Sequence, residues 1–304
     1  MTRWTLDDLP DLTGRTALVT GANAGLGWWT ARGLARGGAH VILACRDPRR
    51  AAAAAEQLRE DLPNASLELR TLDLADLASV ASLADDVRRE HDRLDLLINN
   101  AGIMAVDEAR TVDGFELQVG VNHLGHFALT GRLLPLLVAS PGSRVVTVSS
   151  LGHRAAGRLR RDDLLFERSY DRWRPYFQSK LANLLFTLEL DRRLRAEGAP
   201  TAALAAHPGS SHTDLGTEGS SWVNRASAVV APLVTQPASQ GALPTLRAAT
   251  DTTLKGGTFV GPRFRVAGRP RVETPARAAR RTDDAAWLWE RSTDLTGVEP
   301  LVPR

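Results

Sequence analysis

Short apolar runs and longer amphipathic stretches alternate along the chain from residue 16 to residue 206. The run Thr16-Ala17-Leu18-Val19-Thr20 is short, apolar and closed by glycine, which predicts a buried strand. Similar runs predict strands at 40–44, 67–72, 94–98, 144–148 and 201–206. Between them lie helical patterns at 26–36, 49–62, 78–90, 115–137 and 174–195. Strands that are apolar on both faces, each followed by a helix, predict a parallel sheet with helices on both sides. The fold class is therefore α/β, a single doubly wound domain. In such a sheet, ligands sit outside the carboxyl ends of the strands. The residues expected there are Gly21, Cys45 with Arg46, Asp73, Asn99, Ser149 with Ser150, and His207-Pro208-Gly209.

Two stretches carry candidate chemistry. Gly21-Ala22-Asn23-Ala24-Gly25-Leu26-Gly27 joins the first strand to the first helix. Glycines at that turn bring backbone N–H groups and a helix N-terminus to a pyrophosphate, as in Rossmann domains. The spacing is G-x-x-x-G-x-G rather than G-x-G-x-x-G. Further on, Tyr176 and Lys180 stand four apart and share one helix face. An ammonium beside a phenol lowers its pKa toward a range useful for acid/base work. Composition adds weight, because the chain has two tyrosines and two lysines (Lys180, Lys255) against 36 arginines. A chain that otherwise writes its cations as Arg keeps a compact Lys one turn after a Tyr.

At 304 residues and 43% hydrophobic, the chain can bury one large core. The longest apolar run, about residues 133–139, is far too short to span a membrane, and no signal-peptide pattern opens the chain. One cysteine, Cys45, excludes an intrachain disulfide and suits a reducing, cytoplasmic setting. A net charge of +3 with 35 acidic residues is only mildly basic, and neither a clustered positive face nor a nucleic-acid reading motif is found, so no nucleic-acid partner is expected. No repeat or linker divides the chain. The reading is a leader at 1–13, one domain at 14–298 and a tail at 299–304.

With these motifs in order, the sequence resembles the short-chain dehydrogenase/reductase family, and within it the retinol dehydrogenase and WW-domain oxidoreductase-like members. Thr20 to Gly27 resembles T-G-x-x-x-G-x-G, and Asn99-Asn100-Ala101-Gly102 resembles N-N-A-G. Asn122 falls where the family keeps its active-site Asn. Ser150 takes the place of the catalytic Ser, and Tyr176 and Lys180 match Tyr-x-x-x-Lys. Pro208-Gly209 with Thr213 resembles the segment that meets the nicotinamide, and 288–298 resembles the subgroup's tail. The resemblance implies an oxidoreductase in which Tyr176 transfers a proton, Ser150 orients the oxygen, Lys180 binds the ribose and Asn122 positions a water. It also implies cofactor contacts from Gly21, Asn23, Gly25, Leu26, Gly27, Arg46, Asp73, Leu74, Asn99, Ala101, Gly102, Tyr176, Lys180, Pro208, Gly209 and Thr213. NAD-preferring relatives place an acid where this chain has Cys45, and Arg46 follows, suited to a 2′-phosphate. NADP(H) is favoured over NAD(H), with Asp47 leaving NAD open if the register shifts by two.

Other readings stay in view. Tyr170, with Arg174 four residues on, is a rival acid/base. His123 and His126 could bind a metal or simply pack on their helix. Cys45 could be a reactive thiol or a buried strand end. Arg158, Arg160 and Arg161 form a short basic cluster in an insert of 151–172, read as a solvated loop. That charged insert precedes the active-site helix and favours a monomer. Trp28-Trp29 replaces small or polar residues, one expected to face the core. Retinol dehydrogenases often carry a membrane anchor at the N-terminus, and no apolar segment here suggests one. Residues 210–237 should form a substrate lid, whose apolar part (Trp222, Val223, Ala226 to Val234) favours a lipophilic or polycyclic small-molecule substrate over a charged acid. A non-catalytic NADP(H) sensor on the same fold is the second functional class.

Overall fold

The computed structural model describes residues 4–210 and 236–300. Thr213 and most of the expected lid, Trp222 and Val229 to Val234 included, lie outside the described residues. Strands β1 (Thr16–Thr20), β2 (His40–Cys45), β3 (Leu67–Thr71), β4 (Leu96–Asn99), β5 (Arg144–Val148) and β6 (Ala202–Ala206) fall where the apolar runs predict them. Two further strands, β7 (Phe259–Pro262) and β8 (Pro270–Glu273), extend the sheet beyond the last one expected. Each is four residues long, with Gly or Pro inside, so neither stands out as an apolar run. The sheet order is β3-β2-β1-β4-β5-β6-β7-β8. All pairings are parallel, as expected, except β7 with β8 at the edge beyond the predicted strands. The chain reverses its direction of winding at β1, which is flanked by β2 and β4. A crevice for ligand opens at such a point.

Successive side chains on a strand face opposite layers. On β1, Val19 packs with the face bearing α1 (Gly25–Arg36), α2 (Pro48–Asp61) and Leu246. Its neighbour Leu18 packs with the face bearing α3 (Leu77–Glu90), α5 (Gly125–Val138) and α6 (Trp173–Ala196). On β2, Leu43 and Ile42 divide the same way. Burial of each such side chain is worth roughly 1.5–3 kcal/mol, so both faces hold the sheet. The short helices α7 (Ala238–Gly241) and α8 (Leu243–Thr250) precede β7, and α9 (Thr282–Thr296) closes the second layer through Trp289.

The helix expected at 115–137 is not continuous. A short turn α4 (Leu117–Val119) runs into a π-helical segment, Gly120–Leu124, before α5 begins. There the N–H of Gly125 reaches back five residues to Gly120 O. Such an interruption often marks a functional site, and this one carries Asn122.

Candidate active site

The glycine turn is built from backbone. Gly21 and Gly25 have φ of +65° and +53°, a region open to glycine at little cost. A methyl group on Gly27 would lie 2.6 Å from Asn100 Nδ2 and closer still to Gly21 O, so α1 can start against β1 only without it. Helix α1 also differs from its neighbours at its N-terminus. Asp47 caps α2 and Asp76 caps α3, but Ala24 gives α1 no side-chain cap. Its first N–H groups are left for an anion. Positive-φ glycines, a packing site that excludes Cβ and an uncapped helix end together fit the pyrophosphate of a dinucleotide.

A cleft of about 450 Å³ runs from this turn along the carboxyl ends of the strands. Gly21, Asn23, Gly25, Leu26 and Gly27 line it, as do Arg46, Asp73 and Leu74. Asp73 is held in shape by Ser79, whose Oγ accepts its N–H at 3.0 Å. Cys45 is buried beside the backbone of Ala22 and Asn23, and burial pushes its thiol up to about 11. It is a strand-end packing residue that helps hold the glycine turn. Asp47, which also lines the cleft, accepts the N–H groups of Arg49 and Arg50 on its Oδ1, at 2.8 and 3.2 Å. Arg50, which the sequence did not single out, joins Arg46 at the lip of the cleft.

Asn99 departs from expectation. Its side chain turns away from the cleft and donates to Thr130 Oγ1 at 2.9 Å, and the residue is absent from the cleft lining. Its neighbour Asn100 lines the cleft instead, and its Nδ2 ties the loop to Thr20 O at 2.8 Å. Alternation along β4 explains the swap, since Asn99 ends the strand pointing into the α5 layer.

At the other end, Ser150, Tyr176 and Lys180 line the cleft together with Ala101, Gly102, Pro208 and Gly209. Ser150 stands beside the Tyr176 phenol, and its Oγ accepts the Gly152 N–H at 3.2 Å. Lys180 Nζ lies 5.8 Å from the centre of the Tyr176 ring and donates to Val148 O at 3.3 Å. Both side chains are almost wholly buried. Burial pushes the Tyr176 phenol above its ordinary value, against the smaller lowering effect of Ser150, and pulls Lys180 down to about 8. This reverses the expected direction for Tyr176, because desolvation is the largest effect on so deeply buried a phenol.

Asn122 stands behind this group and is not part of the cleft wall. Its Oδ1 accepts the Ile103 N–H at 2.8 Å, and its Nδ2 donates to Ile103 O and to Ser179 Oγ, both at 2.9 Å. Ser179 Oγ in turn donates to Tyr176 O at 2.8 Å. Asn122 thereby clamps the Gly102–Ile103 loop to the helix turn that carries Tyr176. Gly102 allows this, since a methyl there would meet Asn122 Oδ1 at 3.1 Å and Lys180 Nζ at 3.2 Å.

The alternatives resolve on geometry. Tyr170 donates to Val106 O at 2.9 Å and accepts from Gln118 at 3.1 Å, pinning the insert, and burial raises it to about 12. His126 Nδ1 donates to Asn122 O at 3.1 Å, so its Nε2 accepts from Thr20 Oγ1 at 2.9 Å. His123 bonds Ser292 at 3.0 Å. The two histidines face different partners, and burial pulls them down to about 3 and about 4. The basic cluster is more engaged than a solvated loop: Arg161 pairs with Asp284 at 2.8 Å, and Arg160 with Asp163 at 3.3 Å. Trp28 is buried and donates to Ala54 O at 3.2 Å, while Trp29 is half-buried with Arg32 over its ring.

A family model described as short chain dehydrogenase matches residues 15–224. The chain belongs to the short-chain dehydrogenase family. Human "Retinol dehydrogenase 13" is 41% identical over 296 residues, covering 95% of this dehydrogenase and 86% of that protein. Human "Retinol dehydrogenase 12" is 40% identical, covering 94% and 88%. A crystal structure of an uncharacterized protein from Mycobacterium Paratuberculosis superposes with a TM-score of 0.83 at 48% identity, covering 99% of this chain and all of the other. The dehydrogenase is thus an oxidoreductase that uses a nicotinamide cofactor and is similar to the retinol dehydrogenases. The residues that sequence reasoning missed are mostly apolar: Ile103, Met104, Val106, Leu117 and Val121 line the catalytic half of the cleft. They sit in a loop and an interrupted helix, where no periodicity marks them.

Proposed function

We propose that this dehydrogenase interconverts a ketone or aldehyde and its alcohol with NADP(H), on a bulky apolar substrate. The observation that carries the reading is the Tyr176 phenol, beside Ser150 and Lys180, at the apolar end of a dinucleotide-shaped cleft. The nicotinamide, when bound, supplies or takes the hydride. In reduction, Tyr176 gives its proton to the carbonyl oxygen while Ser150 holds that oxygen. Lys180, buried and bound to Val148 O, keeps the pair in place and holds a cation near the phenolate that results. Asn122 fixes the turn from behind.

Four further observations support the finer reading. Asp47 caps α2 through its Oδ1, and Arg46 and Arg50 stand beside it at the adenosine lip, where guanidinium suits a 2′-phosphate. A short chain dehydrogenase from Escherichia coli CFT073, complexed with NADPH, has this fold at a TM-score of 0.63 and 25% identity, covering 82% of this chain and 97% of that one. The wall from Ile103 to Val121 offers no cation for a carboxylate, which supports an apolar substrate. The exposed charges of the insert, Arg158, Arg161, Asp162 and Arg168, support a monomer.

The test is NADPH and NADH oxidation across hydrophobic ketones, aldehydes, quinones and small keto acids. Higher kcat/KM with NADPH on the hydrophobic carbonyls is expected. Preference for NADH, or for a keto acid, contradicts the corresponding part of the proposal.

A further inference from the structure

A second cluster of ligating side chains lies at the amino ends of the strands, opposite the cleft. His40 opens β2, Glu68 lies on the paired edge strand β3, and His91 follows the last turn of α3. His40 Nε2 stands 3.1 Å and His91 Nε2 3.0 Å from the same atom, Glu68 Oε2. Together the three donors lie within 4.8 Å of one another. We propose that His40, Glu68 and His91 form a divalent-metal site of the zinc class, with the fourth position left to water.

Four features carry this reading. Two imidazole nitrogens and one carboxylate oxygen are a donor set that suits zinc and leaves one position open. A tetrahedral ion about 2.0–2.1 Å from each donor holds the donors roughly 3.3 Å apart, close to the two imidazole–carboxylate separations found here. His40 Nδ1 is anchored 2.7 Å from Ser66 Oγ, so its orientation is fixed by the ring atom that would not bind metal. His91 Nε2 is closed off from solvent and, despite its nearness to Glu68, makes no hydrogen bond. A ring nitrogen that close but misaligned is what a ligand sharing an ion with the carboxylate shows. Arg70 occupies Oε1 of Glu68 and also reaches Glu90, which leaves Oε2 turned to the imidazoles but sets a positive charge beside the site.

No sequence spacing joins positions 40, 68 and 91. The β2–β3 register and the end of α3 bring them together. The site is remote from Tyr176, and an ion there would tie two strands at the sheet edge to the α3–β4 turn.

The experiment titrates the metal-stripped whole protein with Zn²⁺ by calorimetry, and with Co²⁺ followed by visible absorption. One equivalent of Zn²⁺ should bind, and saturating Zn²⁺ should raise the thermal midpoint by about 5 °C. Co²⁺ should give the intense visible bands of a four-coordinate site. His40→Ala, His91→Ala and Glu68→Gln should each weaken Zn²⁺ binding at least about tenfold, and Ser66→Ala about tenfold. Arg70→Gln should tighten it, because a repelling charge is removed. No stoichiometric binding, a weak six-coordinate Co²⁺ spectrum, or unchanged affinity in the His40→Ala/His91→Ala double variant would overturn the proposal. Should a ligand variant fail to fold, the wild-type Co²⁺ spectrum and Ser66→Ala still decide it.

Discussion

The two ends of the cleft are made in opposite ways. The glycine end is backbone: Gly21, Gly25 and Gly27 leave room, and an uncapped α1 presents N–H groups. The catalytic end is side chain, gathered from β5, the π-helical segment and α6, with every member braced by another. The first end works because atoms are missing, and the second because specific atoms are present. Adding atoms should therefore break one, and removing them the other. Between the two lies His126, which joins Thr20 of β1 to Asn122 O.

The largest effect at the glycine end is expected from Gly27→Ala. The new methyl collides with Gly21 O and Asn100 Nδ2, costing about 1–3 kcal/mol of stability and most dinucleotide binding. Urea unfolding and NADPH titration measure both. Native-like binding in this variant would mean that the turn tolerates what its geometry excludes. Arg46→Ala is milder, since it removes one charge-assisted contact worth about 1.5–3 kcal/mol. It should weaken NADPH binding, leave NADH nearly unchanged and narrow the ratio of their kcat/KM values.

The smallest predicted effect probes the seam. Burial holds His126 at about 3 and His123 at about 4, below the ordinary 6.5. A depressed histidine pKa means that the unfolded chain takes up protons first as pH falls. The stability they contribute is full above about pH 6.5 and drains away as pH drops toward their folded values. Between about pH 7.5 and about pH 5, each ring should cost about 1–2 kcal/mol of unfolding free energy. His126→Gln should shrink that loss by one ring's share, measured by urea unfolding at the two pH values. Glu116, raised to about 7 by burial, works in the other direction in the same window, so the difference between variant and wild type is the informative quantity.

The same contrast explains what could be read from the sequence. The glycine turn, the strands to β6 and Tyr176–Lys180 are local patterns with a physical meaning at fixed spacing, and the structure keeps them. Asn99 misleads because a one-residue change along a strand reverses the face, so Asn100 takes its place in the cleft. The π-helical break at Gly120–Leu124 hides inside an unbroken apolar pattern. Strands β7 and β8 are short and interrupted, and their place depends on partners far away in the chain. His40, Glu68 and His91 meet only through strand register. The raised pKa of the Tyr176 phenol is not legible in the spacing, because burial cannot be read from two residues four apart.

The central claim is that proton transfer and dinucleotide binding are carried by different ends of one cleft. Tyr176→Phe tests it most directly, with turnover and NADPH affinity measured on the same sample. Turnover on the best hydrophobic carbonyl should fall about 10²–10⁴-fold, while NADPH affinity stays within about twofold of wild type. Wild-type turnover in Tyr176→Phe would contradict the account.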